Sequence, residues 1–243
     1  LVILAYKSIM KSTILDKTKL VNSVFSKVHK KYDLMNDVMS LGVHRIWKKK
    51  LIDWMNPQLN DSLIDVASGT GDIAKLFSKK VNHSNSISCV EPNKEMYLAG
   101  KDNLKNFKNI TWHKAMAEKL PFKNGSFDFY TISYGIRNVS DINLSLREAL
   151  RVLKPGGRFM CLEFSKVNNE MINFLYQNYS KAIPIIGKYI VGSSKPYDYL
   201  IKSINQFYSQ NELANLMKQN GFYNIEYRNL SNGISAIHSG WKI

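Results

Sequence analysis

Two glycines one residue apart, Gly69 and Gly71, follow an apolar run that begins at Leu63. Thr70 lies between them, and Asp72 opens a stretch with helical spacing. Glycine lets the backbone turn tightly and come close to a ligand, because it has no Cβ atom. The amides at the start of the next helix would point at the same place. This order predicts a nucleotide-type binding site at the carboxyl end of a first strand.

An acidic residue ends the next apolar run. Glu91 lies about 20 residues past Gly69, where nucleotide-binding sheets place an acid that accepts hydrogen bonds from ribose hydroxyls. Dinucleotide sites and S-adenosylmethionine sites share these features. The third glycine of the dinucleotide pattern is replaced here by Ala74, which some dinucleotide sites tolerate. The alternative is that these residues form an ordinary strand, loop and helix that bind no ligand, with Glu91 on the surface.

The elements that must position these residues follow a regular order. Helical spacing predicts two short helices between Leu20 and Met39 and a third from Val43 to Met55, which stops before Pro57. Beyond them, strands and single helices alternate, which is typical of a doubly wound, mostly parallel α/β sheet. A stop-and-turn signal is expected at 154–157. A hairpin across 231–233 would make one strand antiparallel. The predicted strands cover 62–67, 86–91, 110–114, 127–133, 158–163, 222–229 and 234–238. The predicted helices cover 72–80, 94–104, 142–153 and a last helix from a Ser209 cap to 220–221.

The composition is that of one globular domain of 243 residues with a net charge of +15. The basic residues are mostly scattered lysines, which favours compositional bias or an anionic membrane surface over nucleic acid. Cys89 and Cys161 lie in apolar runs, so buried thiols are expected. No Cys/His spacing fits a metal, and no apolar run is long enough to span a membrane. We expect a flexible arm at 1–19 and a single domain at 20–243, with a helical lid at 20–56 and an apolar insertion at 183–205.

Several segments resemble one enzyme family. The AEKLPF sequence at 117–122 is similar to a segment that lies over the adenine in many methyltransferases. The YDLMNDVMSLGVHRIW sequence at 32–47 is the most specific match, and 134–139, 151–165 and 233–238 agree. From about residue 20 to 242 the chain resembles the UbiE family of S-adenosylmethionine-dependent methyltransferases, which C-methylate the quinol ring in ubiquinone and menaquinone biosynthesis. Its main departure is Glu91, where the family more often has Asp.

The resemblance implies the seven-stranded class I methyltransferase fold and S-adenosyl-L-methionine as the cofactor. Asp65 would receive hydrogen bonds from the loop or approach the methionyl amine, and Gly69 and Gly71 would shape the loop. The implied cofactor contacts are Thr70, Glu91, Met116, Ala117 and Ser133.

The resemblance also implies how the acceptor would be handled. A phenol titrates near pH 10, so a base or cation should help its ring carbon to react. We expect Arg137 to stabilise the phenolate, Asn138 to orient it or a water, and Tyr32 to close over the cofactor. Structural roles are the alternatives: an ion pair for Arg137, packing for Tyr32. His44 and His238 fit structural roles better than catalytic ones.

The partners expected are a polyprenyl quinol substrate, a membrane surface and no nucleic acid. The apolar segment 182–192 and its flanking lysines would meet the membrane or the substrate tail. A quinone-biosynthesis complex and a homodimer are further expectations. The basic charge and the start without methionine favour the matrix side of the mitochondrial inner membrane, with a bacterial cytoplasm as the alternative. Another small-molecule or RNA methyltransferase, an NAD-dependent oxidoreductase and a non-catalytic scaffold subunit are the competing functions.

Overall fold

The computed structural model describes residues 37, 40, 42–82, 86–167, 170, 179 and 194–243. The expected arm at 1–19, the two predicted helices before Met39 and Tyr32 lie outside these residues. Of the apolar insertion at 183–205, residues 183–193 lie outside them as well, and residues 194–205 lie within them. The described part of the expected lid is essentially its third helix.

Seven strands form one sheet in the order β3-β2-β1-β4-β5-β7-β6. Strands β1 to β5 run parallel, and β7 pairs antiparallel with both β5 and β6. This confirms the predicted doubly wound sheet with one antiparallel strand. The strands are β1 Leu63–Val66, β2 Ile87–Val90, β3 Ile110–His113, β4 Phe127–Ser133, β5 Leu153–Phe164, β6 Tyr223–Leu230 and β7 Ser235–Trp241.

Helices cover both faces of the sheet, because single helices connect parallel strands by right-handed crossovers. Two buried apolar clusters, one on each face, form the core. The chain order reverses between β1 and β4, so the loops after these two strands meet at the topological switch point. The helices are α1 His44–Met55, α2 Asp72–Lys80, α3 Lys94–Asn103, α4 Ile142–Val152, α5 Lys195–Asn205 and α6 Gln210–Gln219.

The carboxyl-terminal elements match the sequence prediction closely. Ser209 and Glu212 form the capping box of α6, in which each side chain accepts from the other residue's backbone N–H. A short 3-10 turn at Ser231–Gly233 joins β6 to β7. Positive φ at Asn232 and Gly233 allows this tight reversal.

The predicted stop of the helix before 154–157 is confirmed, since α4 ends at Val152. The residues 154–157 interrupt the register of β5, which begins at Leu153 and not at the predicted 158. Gly156 N–H donates to the carbonyl of Lys242 at 2.8 Å, and Lys242 N–H donates to Gly157 at 2.9 Å. The chain end therefore supplies hydrogen bonds to a stretch that would otherwise leave the sheet. Gly156 keeps a positive φ of 75°, which only glycine adopts readily.

The two cysteines are buried free thiols, as predicted. In the described part of the chain, no cluster of His, Cys, Asp and Glu is suited to a metal ion.

None of the helices within the described ranges has both the length and the apolar content needed to cross a bilayer.

Candidate functional site

A cleft opens at the switch point between β1 and β4. Small residues line much of it, which leaves backbone atoms accessible to a ligand. The lining residues are Lys48, Asp65, Ala67, Ser68, Gly69, Thr70, Asp72, Ile73, Ser133 and Tyr134. Four of the predicted site residues, Asp65, Gly69, Thr70 and Ser133, are thus brought together.

The glycine loop between β1 and α2 depends on left-handed backbone. Gly69 has φ 56° and Gly71 has φ 89°, and Gly71 is the N-cap of α2. A Cβ atom on Gly71 would lie 2.5 Å from Leu104 Cδ1 and 3.2 Å from Trp112 Cζ2. Gly71 therefore lets α2 begin close to α3 and β3, which holds the loop against the sheet.

Replacing Gly71 by alanine is expected to lower stability by about 1 to 3 kcal/mol more than Gly156→Ala, because overpacking adds to the cost of positive φ. Gly156 is a matched control, since its φ is 75° but nothing lies within 4 Å of its Cβ position. Urea unfolding of both variants measures the difference. Equal losses of unfolding free energy in the two variants would show that the close approach of Gly71 to Leu104 does not affect stability.

Glu91 ties the glycine loop to the end of β2. Its Oε2 accepts from Gly69 N–H at 2.9 Å, and its Oε1 accepts from Asn93 N–H at 2.9 Å. Burial raises the pKa of Glu91 to about 7, although the two backbone hydrogen bonds oppose the rise. Glu91 thus positions the loop, and each oxygen keeps a lone pair for a further donor.

Asp65 lies in β1 beneath the cleft and is only 1% exposed. The Thr131 hydroxyl donates to its Oδ1 at 2.7 Å. Its Oδ2 is buried and has no hydrogen-bond partner among the residues described. Burial raises the pKa of Asp65 to about 7, although Thr131 and the Lys48 ammonium hold it down. A buried acceptor without a donor is costly, so this oxygen suits a ligand that brings a cationic donor.

Strained backbone flanks the cleft on both sides. Ala67 after β1 has φ 53° and Tyr134 after β4 has φ 55°, a region that non-glycine residues seldom adopt. A Cβ atom on Gly135 would lie 2.5 Å from Ala67 Cβ, so the two loops are in close contact. The loops after β1 and β4 therefore meet beside the cleft, and no local sequence pattern indicates this contact.

The remaining cofactor residues lie at different positions. Ser133 Oγ is buried without a partner in the described structure, and Ser133 lines the cleft. Met116 is 40% exposed and pairs with Lys119 in an isolated bridge, while Ala117 is 6% exposed. Neither Met116 nor Ala117 lines the cleft itself. Their predicted contact with adenine stays a prediction.

Arg137 forms a buried ion pair. Its Nη1 lies 2.5 Å from Glu163 Oε1 and 2.8 Å from the carbonyl oxygen of Tyr134, and both side chains are under 5% exposed. The guanidinium also lies over the ring of Phe164, 5.6 Å from its centroid. Burial raises the pKa of Glu163, against the effect of Arg137. Arg137 does not line the cleft, and its role on the phenolate stays a prediction.

Asn138 connects the end of β4 to α5. The Tyr199 hydroxyl donates to Asn138 Oδ1 at 2.9 Å. Burial raises the pKa of Tyr199, which keeps this hydroxyl protonated and able to donate. Asn138 thus has a fixed orientation near the ion pair, outside the cleft lining.

The histidines have structural surroundings. His238 is buried in β7, where its Nε2 lies 3.0 Å from the carbonyl oxygen of Gln210. His44 is buried in α1, and its Nδ1 lies 2.8 Å from Ser40 Oγ. Burial lowers the pKa of each to about 4, so both are neutral near pH 7.

Sequence reasoning missed six lining residues: Lys48, Ala67, Ser68, Asp72, Ile73 and Tyr134. Most of them neighbour predicted residues along the chain. Lys48 is different, since it comes from α1 and lies on the same helical face as His44, Trp47 and Leu51. A lysine on the buried face of a helix is the signal that could have identified it.

Relatives of known name cover nearly the whole chain. A protein of Rickettsia bellii named ubiquinone/menaquinone biosynthesis C-methyltransferase UbiE is 50% identical over 235 residues, which is 94% of each chain. A Rickettsia prowazekii protein of the same name is 50% identical over 234 residues, 93% of this chain and 94% of its own.

Solved structures show the same fold at low sequence identity. A Thermotoga maritima adenosylmethionine-dependent methyltransferase, described as a possible histamine N-methyltransferase, has a TM-score of 0.65 at 21% identity, covering 91% of this chain and 99% of its own. A Haemonchus contortus phosphoethanolamine N-methyltransferase in complex with S-adenosyl-L-methionine has a TM-score of 0.59 at 12% identity, covering 81% of this chain and 52% of its own.

The family assignment rests on the sequence as a whole. The profile of the ubiE/COQ5 methyltransferase family matches residues 12–242. The protein therefore belongs to the ubiE/COQ5 methyltransferase family and is an S-adenosylmethionine-dependent methyltransferase.

Proposed function

We propose that this protein transfers a methyl group to a ring carbon of a polyprenyl benzoquinol, and of a demethylmenaquinol as well, in quinone biosynthesis. The observation that carries the proposal is the 50% identity, over 94% of the chain, to a protein named ubiquinone/menaquinone biosynthesis C-methyltransferase. The cleft supports it, because its polar groups suit adenosylmethionine.

The residues present fit this cofactor on structural grounds. Asp65 Oδ2 is a buried acceptor with no partner in the described structure, which matches the need of an amino group. The loop at 69–71 brings its backbone to the cleft without side chains at two of three positions. Asp65 would therefore hold the methionyl ammonium, with Thr70 and Ser133 contacting the same end. Glu91 would accept from the ribose hydroxyls with its free lone pairs.

The bound cofactor supplies a methyl group on a cationic sulfur, ready for attack by a carbon nucleophile. The protein must align the two reactants and exclude water. The quinol ring carbon gains nucleophilicity when its neighbouring hydroxyl loses a proton. We expect Arg137 to stabilise that phenolate, since its buried Nε has no partner among the described atoms. Asn138, held by Tyr199, would orient the oxygen or a water.

Affinity for adenosylmethionine is expected to fall about tenfold between pH 7.5 and pH 6. The reason is that Asp65, with a pKa of about 7, takes up a proton and no longer attracts an ammonium group. Glu91 titrates in the same range, so its protonation adds to the change. Calorimetric titration at several pH values measures the effect, and Asp65→Asn should reduce it to the part that Glu91 contributes. An affinity that does not change with pH would contradict the role of Asp65.

The partners and the location are proposed in the same way. We infer contact with a membrane surface, because a polyprenyl tail is insoluble in water; the segment expected to make it lies outside the described residues. A quinone-biosynthesis complex and a homodimer remain proposals. The relatives are bacterial, which favours the bacterial cytoplasm and gives no support to a mitochondrial matrix location.

Transfer of a labelled methyl group to quinols tests this function. The purified protein is incubated with methyl-labelled adenosylmethionine and either a 2-polyprenyl-6-methoxy-1,4-benzoquinol or a demethylmenaquinol, kept reduced by dithionite. We expect label on a ring carbon of at least one of them. If the protein binds adenosylmethionine but labels neither quinol, the proposal is contradicted. Label transferred to RNA in a parallel incubation would favour an RNA methyltransferase.

A further inference from the structure

Lys48 is a buried cation in the wall of the cleft. It lies in α1, on the face that packs against the sheet, and its side chain is 9% exposed. Lysine is almost never buried unless its charge is paired or used. Its neighbours along α1, Lys49 and Lys50, are exposed, so the burial is specific to this position.

The ammonium of Lys48 is held by Asp72 at the start of α2. Its Nζ lies 2.6 Å from Asp72 Oδ2, and Asp72 is itself 41% exposed. Burial would raise the pKa of Asp72, but the charge of Lys48 holds it below the usual value. An ammonium has three N–H donors, so the bond to Asp72 leaves capacity for another acceptor. Because Lys48 lines the cleft, a ligand bound there can supply that acceptor.

Lys48 and Asp65 form a complementary pair across the same cleft. Lys48 is near enough to lower the pKa of Asp65, and Asp65 Oδ2 has no donor in the described chain. Among the described lining residues, Lys48 is the only cation. An α-amino acid carries an ammonium and a carboxylate two bonds apart. One acidic and one basic side chain in one cleft therefore match both charges.

We propose that Lys48 binds the α-carboxylate of the adenosylmethionine amino acid moiety, while Asp65 binds its ammonium. This inference rests on the cofactor site proposed above and does not depend on the identity of the acceptor. Lys48 is a specificity residue for the cofactor. It favours a cofactor whose amino acid part keeps its carboxylate over one in which only the amine is left.

Decarboxylated S-adenosylmethionine, which lacks only the carboxylate, provides the test. Calorimetric titration compares the affinity of the full chain for the two compounds. We expect the unmodified protein to bind adenosylmethionine about 10 to 100 times more tightly, as hydrogen bonds between charged groups commonly contribute. Equal affinities in the unmodified protein would overturn the proposal without any variant.

The variant Lys48→Met keeps the length of the side chain and removes the charge. It is expected to bind both compounds with affinities within about twofold, whereas the control Lys49→Met keeps the full preference. Retention of the preference in Lys48→Met would overturn the proposal. Thermal unfolding of Lys48→Met shows whether this variant folds. If it does not fold, the comparison of the two compounds in the unmodified protein and in Lys48→Arg tests the proposal. Lys48→Arg keeps the positive charge and is expected to keep the preference for adenosylmethionine.

A second variant separates ligand binding from neutralisation of Asp72. In Lys48→Met/Asp72→Asn no carboxylate at position 72 is left unpaired. We expect the preference for the carboxylate to stay lost in this double variant. A restored preference would mean that Lys48 serves only to neutralise Asp72, and the proposal would be wrong. Failure of quinol methylation alone would not affect any of these binding results.

Discussion

Replacing Asp65 by asparagine is expected to weaken adenosylmethionine binding at pH 7.5 by at least about 30-fold, because an ammonium loses its buried counter-charge. Asparagine has nearly the same shape and can still accept from the Thr131 hydroxyl. Packing beneath the cleft therefore stays intact. Isothermal titration measures the loss.

The same substitution is expected to leave the protein as stable or more stable at pH 8. The folded pKa of Asp65, about 7, lies above the ordinary value of 3.8, so the folded state binds its proton more tightly than the unfolded chain. The stability that this proton contributes is present at low pH and is lost as pH rises from about 4 through about 7. Asparagine does not ionise, so the variant does not lose this stability as the pH rises.

Asp53→Asn is the matched control. It makes the same chemical change at a side chain that is 69% exposed and 3.8 Å from Lys80. We expect no change in cofactor affinity there. An Asp65→Asn protein that binds adenosylmethionine as tightly as the parent would remove Asp65 from the proposed site.

Replacing Arg137 by methionine is expected to lower stability at pH 8 by about 3 to 5 kcal/mol, because it leaves a buried carboxylate without its partner. Glu163 would keep only backbone donors, the N–H of Phe164 at 2.9 Å and the N–H of residue 137. The loss should be smaller at pH 5.5, since burial raises the pKa of Glu163 and lets it take up a proton. Denaturant unfolding at the two pH values measures both effects.

The double variant Arg137→Met/Glu163→Gln separates the structural role of Arg137 from its predicted catalytic role. Stability should largely return, since no buried charge is left unpaired. Quinol methylation should stay at least about 100-fold below the parent in kcat, if Arg137 stabilises the phenolate. Full recovery of stability and of quinol methylation in the double variant would show that Arg137 has only a structural role. Arg45→Met, which breaks an exposed ion pair with Asp37, is a control expected to cost under about 1 kcal/mol.

The order of elements could be read from the sequence because it depends on local patterns. The runs at 63–66 and 127–133 are apolar, and turn residues follow them closely. The glycine loop and Glu91 were found because the topology of parallel strands brings successive strand ends to one edge. The structure places the glycine loop and Glu91 at that edge, in hydrogen-bond contact, and their contacts with the cofactor stay predictions.

Long-range contacts decide the rest. The partner of Arg137 is Glu163, 26 residues away on β5, and no spacing rule indicates that they meet. Lys48 enters the cleft because α1 packs against α2, a contact that depends on the tertiary fold. The extension of β5 needs the chain end to pair at Gly156 and Gly157. These three features depend on packing and strand pairing between segments that are distant in the sequence, so local sequence patterns do not predict them.

A crystal structure of this protein with S-adenosylhomocysteine shows whether Asp65 holds the amino group of the cofactor. This product keeps the amino acid and nucleoside parts of the cofactor. We expect its ammonium to lie within 3.2 Å of Asp65 Oδ2, a normal hydrogen-bond distance, and its ribose to lie at Glu91. A product molecule bound away from the cleft between β1 and β4, or one whose amino group points away from Asp65, would show that Asp65 is not part of the cofactor site.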